Sequence, residues 1–415
     1  MGGRAGVDCG SFCKFCFYNN INTNNLEPSG CINCYPDHIG CDYCQNFIDR
    51  IRSKFKPLIQ VMVDFKERNQ LDRIHLSEND QISINGGGDL LNYPHLKELV
   101  NVLKGFDLPI HLNYTSGKPI KNSGMVKDII SCGVDSVGFS VFSTNPQIRK
   151  KWMNDKTSEE SVEGIKIFGD NIDLNASAVV IPGINDENEL YETCIDLEKW
   201  GAKSLSLRRF ANYRNQGLIF QHKPLLEGVK PHSYKEFRQL VQKIDDEFSF
   251  RVLGYPFYDP KNKGPFLISK TENKNYLEKI KPIKCSATII TGKLAAPFLC
   301  KIFDEIDSSN LVNILSVDKE IADLIVHEDL ESIDLKEVKG NVIIPAGALV
   351  QDNYAKKLLS SDGKHRKVIR GPYILSNPIK GEDEHYTMDE IIEFEIKSFN
   401  ALIDKINSQY VVHKN

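Results

Sequence analysis

Cys9, Cys13 and Cys16 form a Cys-x3-Cys-x2-Cys run, three thiols on a stretch short enough to wrap one corner of a metal cluster. Three thiolates are one fewer than a [4Fe–4S] cube needs for saturation, so one iron would stay open to an outside ligand. Gly10 and Ser11 ease the turn after the first cysteine. A zinc knuckle would want paired Cys-x2-Cys units and a fourth ligand, so the offset spacing favours the cluster. A second group, Cys31-x2-Cys34-x6-Cys41-x2-Cys44, has that paired form and supplies four thiolates. Four ligands close a tetrahedral site and leave no open position, which argues for a structural ion. Zinc, a single iron ion and an auxiliary cluster all suit its spacing.

The elements that must carry these groups follow from the patterning. Short apolar runs at Ile82–Asn85, Ile110–Tyr114, Ser136–Val141, Asp173–Ile181, Ser204–Arg208 and Phe250–Leu253 read as strands. Between them, Tyr93–Lys104, Met125–Cys132, Ser158–Phe168, Glu187–Trp200 and Ser233–Glu247 carry apolar positions at helical spacing. This alternation predicts an α/β fold, a partial TIM-type barrel over residues 1–254 with a cysteine-rich metal loop at 17–50. Reacting groups then belong on the loops after the carboxyl ends of the strands. Pro, Lys, Asn and Gly dominate 255–282, which reads as a connector. A separate α+β C-terminal domain is expected over 283–415, with strands at Ala287–Ile290, Val312–Val317 and Val342–Pro345 and helices at Pro297–Ile306 and Asp389–Asn407.

Composition limits the partners. Seven of the eleven cysteines lie between Cys9 and Cys44, a clustering that a reducing compartment keeps free for metal. The start MGGRAGVDCG has no signal-peptide core, and no apolar run nears the ~20 residues that cross a bilayer. A cytoplasmic protein with no membrane partner is expected. A net charge of −4 offers no basic field for phosphates, which excludes a general nucleic-acid binder.

The triplet, with aromatic Phe15 before its last cysteine, resembles the signature of the radical S-adenosylmethionine (SAM) superfamily. That resemblance implies a [4Fe–4S] cluster whose open iron chelates SAM, and a low-potential electron donor whose electron breaks the sulfonium bond to give a 5′-deoxyadenosyl radical. It also implies the SAM contacts. Phe15 would pack beside the adenine, and Gly86, Gly87, Gly88 and Asp89 would receive the SAM amino group. Ser140 would meet the ribose or carboxylate, Val180, Ile181 and Gly183 the adenine, and Arg208 and Arg209 the carboxylate.

The nearness of the four-cysteine group narrows the resemblance to the methanogen family called methanogenesis marker protein 10, through GVDCGSFCKFCFYNN, GCINCYPDHIGCDYCQ, INGGGDL and IIPAGALV. That family is implied to methylate an arginine carbon (C5) in the alpha subunit of methyl-coenzyme M reductase, with cobalamin in the C-terminal domain and one iron ion in the four-cysteine loop. A tyrosine near the triplet can occupy its open iron before SAM binds, with Tyr18 as the candidate. Tyr114 would also face the reaction cavity. The Asp-x-His-x-x-Gly cobalamin motif is absent, since Asp383-Glu384-His385 is followed by Met388 where Gly is required. Thr291, Gly292 and Lys293, with Ala346, Gly347, Ala348 and Leu349, are the positions expected beside a corrin, because small residues let backbone approach a flat ring. The alternative keeps the radical chemistry but makes the second cysteine group an auxiliary iron–sulfur cluster of a peptide crosslinking or maturation enzyme.

Overall fold

The computed structural model describes residues 1–20, 52–69, 81–216, 224–261, 266–372, 375 and 387–408. Cys31, Cys34, Cys41 and Cys44 lie outside the described residues. The described chain divides into two units, the first running to Phe210 and again from Leu225 to Pro256, the second holding residues 211–216, Pro224 and everything from Phe257 onward.

In the first unit, α1 (Leu58–Asn69) precedes β1 (Ile82–Ile84), α2 (Leu96–Leu103), β2 (Ile110–Thr115), α3 (Ser123–Ser131) and β3 (Ser136–Ser140). Then come α4 (Pro146–Met153), α5 (Ser158–Asn171), β4 (Asp173–Val180), α6 (Asn188–Lys199), β5 (Ser204–Arg209), α7 (Tyr234–Glu247) and β6 (Arg251–Tyr255). The six strands pair in sequence order, all parallel, which gives the partial barrel expected. Crossover helices cover one face of such a sheet, and that face is apolar: Leu112, Val137, Phe139, Leu174, Val180, Leu205 and Leu207 are fully buried. Side chains alternate across a strand, so Ser136, Ser140, Asn175 and Ser177 fall on the other face and are only half-buried. A polar concave face results. Gly138 is required where β2 and β3 meet, because a Cβ there would stand 2.3 Å from the Asn113 carbonyl oxygen.

Local sequence fixes the helix ends. At α7 the Ser233 hydroxyl accepts from the Glu236 N–H at 3.2 Å while the Glu236 carboxylate accepts from the Ser233 N–H at 2.7 Å, a reciprocal cap on two otherwise orphaned donors.

The second unit holds β7 (Ala287–Thr291), α8 (Ala296–Ile306), β8 (Val312–Ser316), α9 (His327–Glu331), β9 (Asn341–Ile344), α10 (Asp352–Leu358), β10 (Val368–Arg370) and α11 (Met388–Asn407). Its sheet runs β10-β9-β7-β8 and is wholly parallel, so the unit is a doubly wound α/β layer where an α+β arrangement was expected. The chain leaves β7 for β8 on one side and returns to β9 on the other, which makes the β7/β9 edge the topological switch point.

The stretch expected to be a connector belongs to this unit's core. Phe266, Leu267, Ile268, Leu277 and Ile280 pack with Phe399 and Ile403 of α11. Glu395 of α11 ties the two together, its carboxylate accepting from the Leu267 and Ile268 N–H groups at 2.9 Å each. Burial pushes this carboxyl from the usual 4.5 to about 7, against the pull of those donors. The folded state therefore holds its proton more tightly than the unfolded chain. Its contribution is fullest below pH 4.5 and is lost as pH rises toward 7, by roughly 3 kcal/mol in all. Urea unfolding should show the second unit weaker near neutrality than in mild acid, and Glu395→Gln should remove most of that difference.

Candidate active site

The cysteine loop is seated by the segment before it. Gly2 accepts from the Gly87 N–H at 2.8 Å, and the Asp8 carbonyl accepts from Asn92 Nδ2 at 2.8 Å. A side chain at Gly88 would stand 2.7 Å from the Asp8 Cβ, so this glycine lets the segment lie close on the carboxyl end of β1. Beyond Cys9 the anchors come from the end of α4. Ser11 Oγ donates to the Asn154 carbonyl at 3.0 Å, Asn154 Nδ2 to the Phe12 carbonyl at 2.6 Å, and the Lys14 N–H to the Trp152 carbonyl at 2.9 Å. Lys118, just after β2, donates to the Ser11 carbonyl at 2.9 Å and to Cys13 Sγ at 3.3 Å. The three cysteines thus lie on one loop pinned to the carboxyl ends of β1 and β2 and to α4.

Burial pushes the Cys9 thiol up to about 11 and the Cys16 thiol up to about 12, and raises Cys13 as well. Lys118 pulls the other way on each, most closely on Cys13. Thiols of this kind stay protonated until a metal takes the proton's place. Soft sulfur donors in a sheltered loop fit an iron–sulfur cluster. Among the described residues no group of three or more His, Cys, Asp or Glu side chains converges as a single-ion site, and a cube needs no such convergence because each thiolate binds its own corner.

The Tyr114 phenol is raised well above the usual range, first by burial and then by the charges of Cys9, Asp89, Cys13 and Cys16. Tyr18 lies in a helical turn, Phe17–Asn20, with its ring packed on Phe17 at 4.2 Å. Its backbone N–H donates a hydrogen bond to the Cys16 sulfur.

An apolar wall stands beside the loop. Phe15 stacks on Phe142 with centroids 4.6 Å apart, and Phe142, Met153, Ile181 and Phe210 pack with Cys13 and Phe15. Phe142 holds φ at 61°, a left-handed conformation rare for a bulky residue and worth about 1–3 kcal/mol of strain. Buried Asn185 knots this wall: its Oδ1 accepts from the Ile181 N–H at 2.8 Å, and its Nδ2 donates to the Phe142 and Val179 carbonyls at 2.9 Å each. Asn185→Ala should leave these three groups short of a partner and cost about 2 kcal/mol in denaturant unfolding.

Several residues expected at the SAM site sit differently. Asp89 is fully buried, and its carboxylate accepts from Leu91 N–H at 3.1 Å, Thr115 Oγ1 at 2.8 Å, Ser116 N–H at 2.7 Å and Ser116 Oγ at 2.6 Å. It is spent on joining the ends of β1 and β2, so no side-chain acceptor is left there for an ammonium. Gly86 is exposed and Gly87 half-buried, the Gly87 N–H already donated to the Gly2 carbonyl. Arg208 and Arg209 cannot grip one carboxylate, because neighbours on a strand point to opposite faces. Arg208 is exposed and lies over the Tyr255 ring at 4.9 Å, while Arg209 is buried and faces Tyr234 of α7 at 6.0 Å. Ser140 ends β3 half-buried on the polar face, and Val180 ends β4 with its side chain buried on the helix side. Gly183 adopts φ 72° with open space where a Cβ would be. Lys118, Phe142, Arg149 and Asn185 were not singled out by type or spacing, and only their partners identify them.

The segments expected beside a corrin do reach the switch point of the second unit, at the ends of β7 and β9. They are filled by this chain's own atoms. A Cβ at Gly292 would stand 2.6 Å from the Glu320 carbonyl oxygen, and one at Gly347 2.5 Å from the Asp323 carboxyl carbon. Thr291 is buried, and Lys293 donates its N–H to the Lys319 carbonyl at 2.7 Å. Arg370 gathers the Ala346, Ala348 and Val350 carbonyls at 2.8, 2.9 and 2.6 Å, and the Leu349 N–H donates to Ile325 at 2.7 Å. These residues do not fit a corrin as they stand.

No curated protein matches the sequence. Solved structures that match the chain include a domain of pyruvate-formate lyase-activating enzyme from Bacteroides vulgatus (12% identity, TM-score 0.32, 41% of this chain and 98% of that one). Others are a radical SAM methyltransferase from Sphaerobacter thermophilus (14%, 0.33, 55% and 62%) and SuiB from Streptococcus suis bound to precursor peptide SuiA (14%, 0.39, 74% and 54%). The chain therefore spans less than two thirds of the length of the last two. The family model for the radical SAM superfamily matches residues 38–194, beginning after the cysteine triplet and ending within α6. The match identifies a radical SAM superfamily domain over residues 38–194, a span that includes strands β1–β4 of the six-stranded parallel sheet.

Proposed function

We propose that this radical SAM enzyme acts on an unactivated carbon of a polypeptide side chain, and that the reaction is C-methylation of an arginine in the methyl-coenzyme M reductase alpha subunit, as the resemblance of its cysteine groups implies. The observation that supports the radical part is Cys9, Cys13 and Cys16 on one loop pinned to the carboxyl ends of β1 and β2. A [4Fe–4S] cluster and SAM, when bound there, supply a 5′-deoxyadenosyl radical.

This chain's residues do the rest. The Phe15–Phe142 stack and Ile181 shelter the loop from water on one side, and the exposed backbone at Gly86 offers a carbonyl to an ammonium. Tyr114, whose phenol stays protonated, would offer a hydrogen-bond donor or acceptor to the bound group. The polar concave face with Arg208 at its end suits a substrate brought in along the sheet. No step is assigned to cobalamin, since the segments expected beside it pack on the chain itself. The iron ion implied for the four-cysteine group belongs to the same proposal.

The test is anaerobic: reconstituted full chain, a strong one-electron reductant, SAM, and an arginine peptide deuterated on its side chain. Deuterium in 5′-deoxyadenosine is expected. No SAM cleavage from cluster-loaded protein overturns the radical reading, and cleavage without deuterium transfer overturns the arginine assignment alone.

A further inference from the structure

Lys118 has three donors, and all three are used on the cysteine loop: the Ser11 carbonyl at 2.9 Å, Ser11 Oγ at 3.2 Å and Cys13 Sγ at 3.3 Å. Its backbone is held as well, since the Lys118 carbonyl accepts from Thr157 Oγ1 at 2.9 Å. Among the described residues no carboxylate pairs with Lys118 within 4.0 Å, so its charge is not cancelled by a neighbour. A long flexible side chain clamped at both ends is an unusual use of lysine, which ordinarily keeps its head in water. Here a fixed positive charge rests on one thiol of the triplet.

We propose that Lys118 is a positioning residue that sets the reduction potential of the cluster bound by Cys9, Cys13 and Cys16. The inference rests on the radical SAM reading. Reduction adds one electron, from a low-potential one-electron donor, without making or breaking a bond. A cation and an N–H donor at a ligand sulfur stabilise the more negative, reduced state more than the oxidised one. Removing them makes reduction harder. The same ammonium, through Ser11, holds the turn between Cys9 and Cys13.

The experiment compares full-length wild type with Lys118→Met, Lys118→Gln and Lys118→Arg, each reconstituted anaerobically, with iron and labile sulfide measured and the midpoint potential read by electron paramagnetic resonance during redox titration. Lys118→Met should lower the potential by at least ~59 mV, the equivalent of a tenfold change in a one-electron equilibrium. Lys118→Gln, which keeps a donor but no charge, should fall between, and Lys118→Arg should stay near wild type. If Lys118→Met does not assemble a cluster, Lys118→Gln against Lys118→Arg carries the comparison. Cluster-loaded Lys118→Met or Lys118→Gln at the wild-type potential overturns the proposal, and so does a Lys118→Arg protein that binds no iron. Wild type that binds no cluster overturns the radical reading instead, so the two failures are distinct.

Discussion

Arg149→Met is expected to destabilise the first unit by about 3–5 kcal/mol, a large share of the roughly 5–15 kcal/mol that holds a typical domain. Arg149 lies on α4 with no exposed surface, and its Nε and Nη2 donate to Asp155 Oδ2 at 3.0 and 2.9 Å. Burial alone would depress the guanidinium, and Asp155 is the main influence holding it up. Truncating either partner strands a charge in the interior. A buried pair can often be replaced by apolar residues at little cost, but this one should resist that. Nη2 also donates to the Ser116 carbonyl at 2.5 Å, and Nη1 to the Val141 carbonyl, so an Arg149→Met/Asp155→Leu protein leaves two carbonyls bare at roughly 1–3 kcal/mol each. Urea unfolding should place the double variant well below wild type, and a double variant as stable as wild type would show that those carbonyls find other partners.

Cys9→Ala, Cys13→Ala or Cys16→Ala should each abolish reductive SAM cleavage, to below detection of 5′-deoxyadenosine. A cube that has already left one iron open cannot lose another thiolate and stay anchored. The fold should survive, because Gly2, Asp8, Ser11, Phe12 and Lys14 also pin the loop without its sulfurs. Cys194 on α6 is the contrast: fully buried, its thiol pushed up to about 12 by burial, it serves packing. Cys194→Ala should cost on the order of 1 kcal/mol of stability, for the lost sulfur volume, and leave the visible absorption of the cluster unchanged. Loss of the chromophore in Cys194→Ala, or its retention in Cys16→Ala, would be the unexpected result.

All six strands of the first unit and three of the four in the second were legible, β10 (Val368–Arg370) being missed, because a strand face had to be apolar to meet the crossover helices. The two-residue alternation of runs such as SVGFS and DLNASAVV records that demand directly. Helix α4 was not legible, since PQIRKKWM carries three cationic residues and its inward face is made by Arg149 and Met153. A buried arginine looks like a surface arginine until its carboxylate and its carbonyls, from strands far apart in sequence, are in place. The Pro, Lys and Asn around Phe266–Ile268 hid a core segment for a similar reason: composition averages over a stretch in which a few apolar residues do the packing. The cysteine triplet could be read from spacing alone because its ligands are consecutive. Asn185 and Lys118 could not, because each acts by joining segments that only the fold brings together. Arg208 and Arg209 could have been separated earlier, since two adjacent strand residues never share a face.

The filled edge of the second unit has a consequence for affinity. Residues 319–323 occupy the place at the β7/β9 switch point where a doubly wound sheet ordinarily receives its ligand, with Lys319 itself buried and paired to Asp329 at 3.4 Å. A large flat ligand at that edge can bind only those molecules in which the segment has swung away. Its apparent dissociation constant is then the intrinsic one divided by the open fraction. Each ~1.4 kcal/mol spent on opening weakens binding about tenfold. Tight retention of such a ligand would accordingly be a property of how easily five residues let go, more than of the contacts made afterwards.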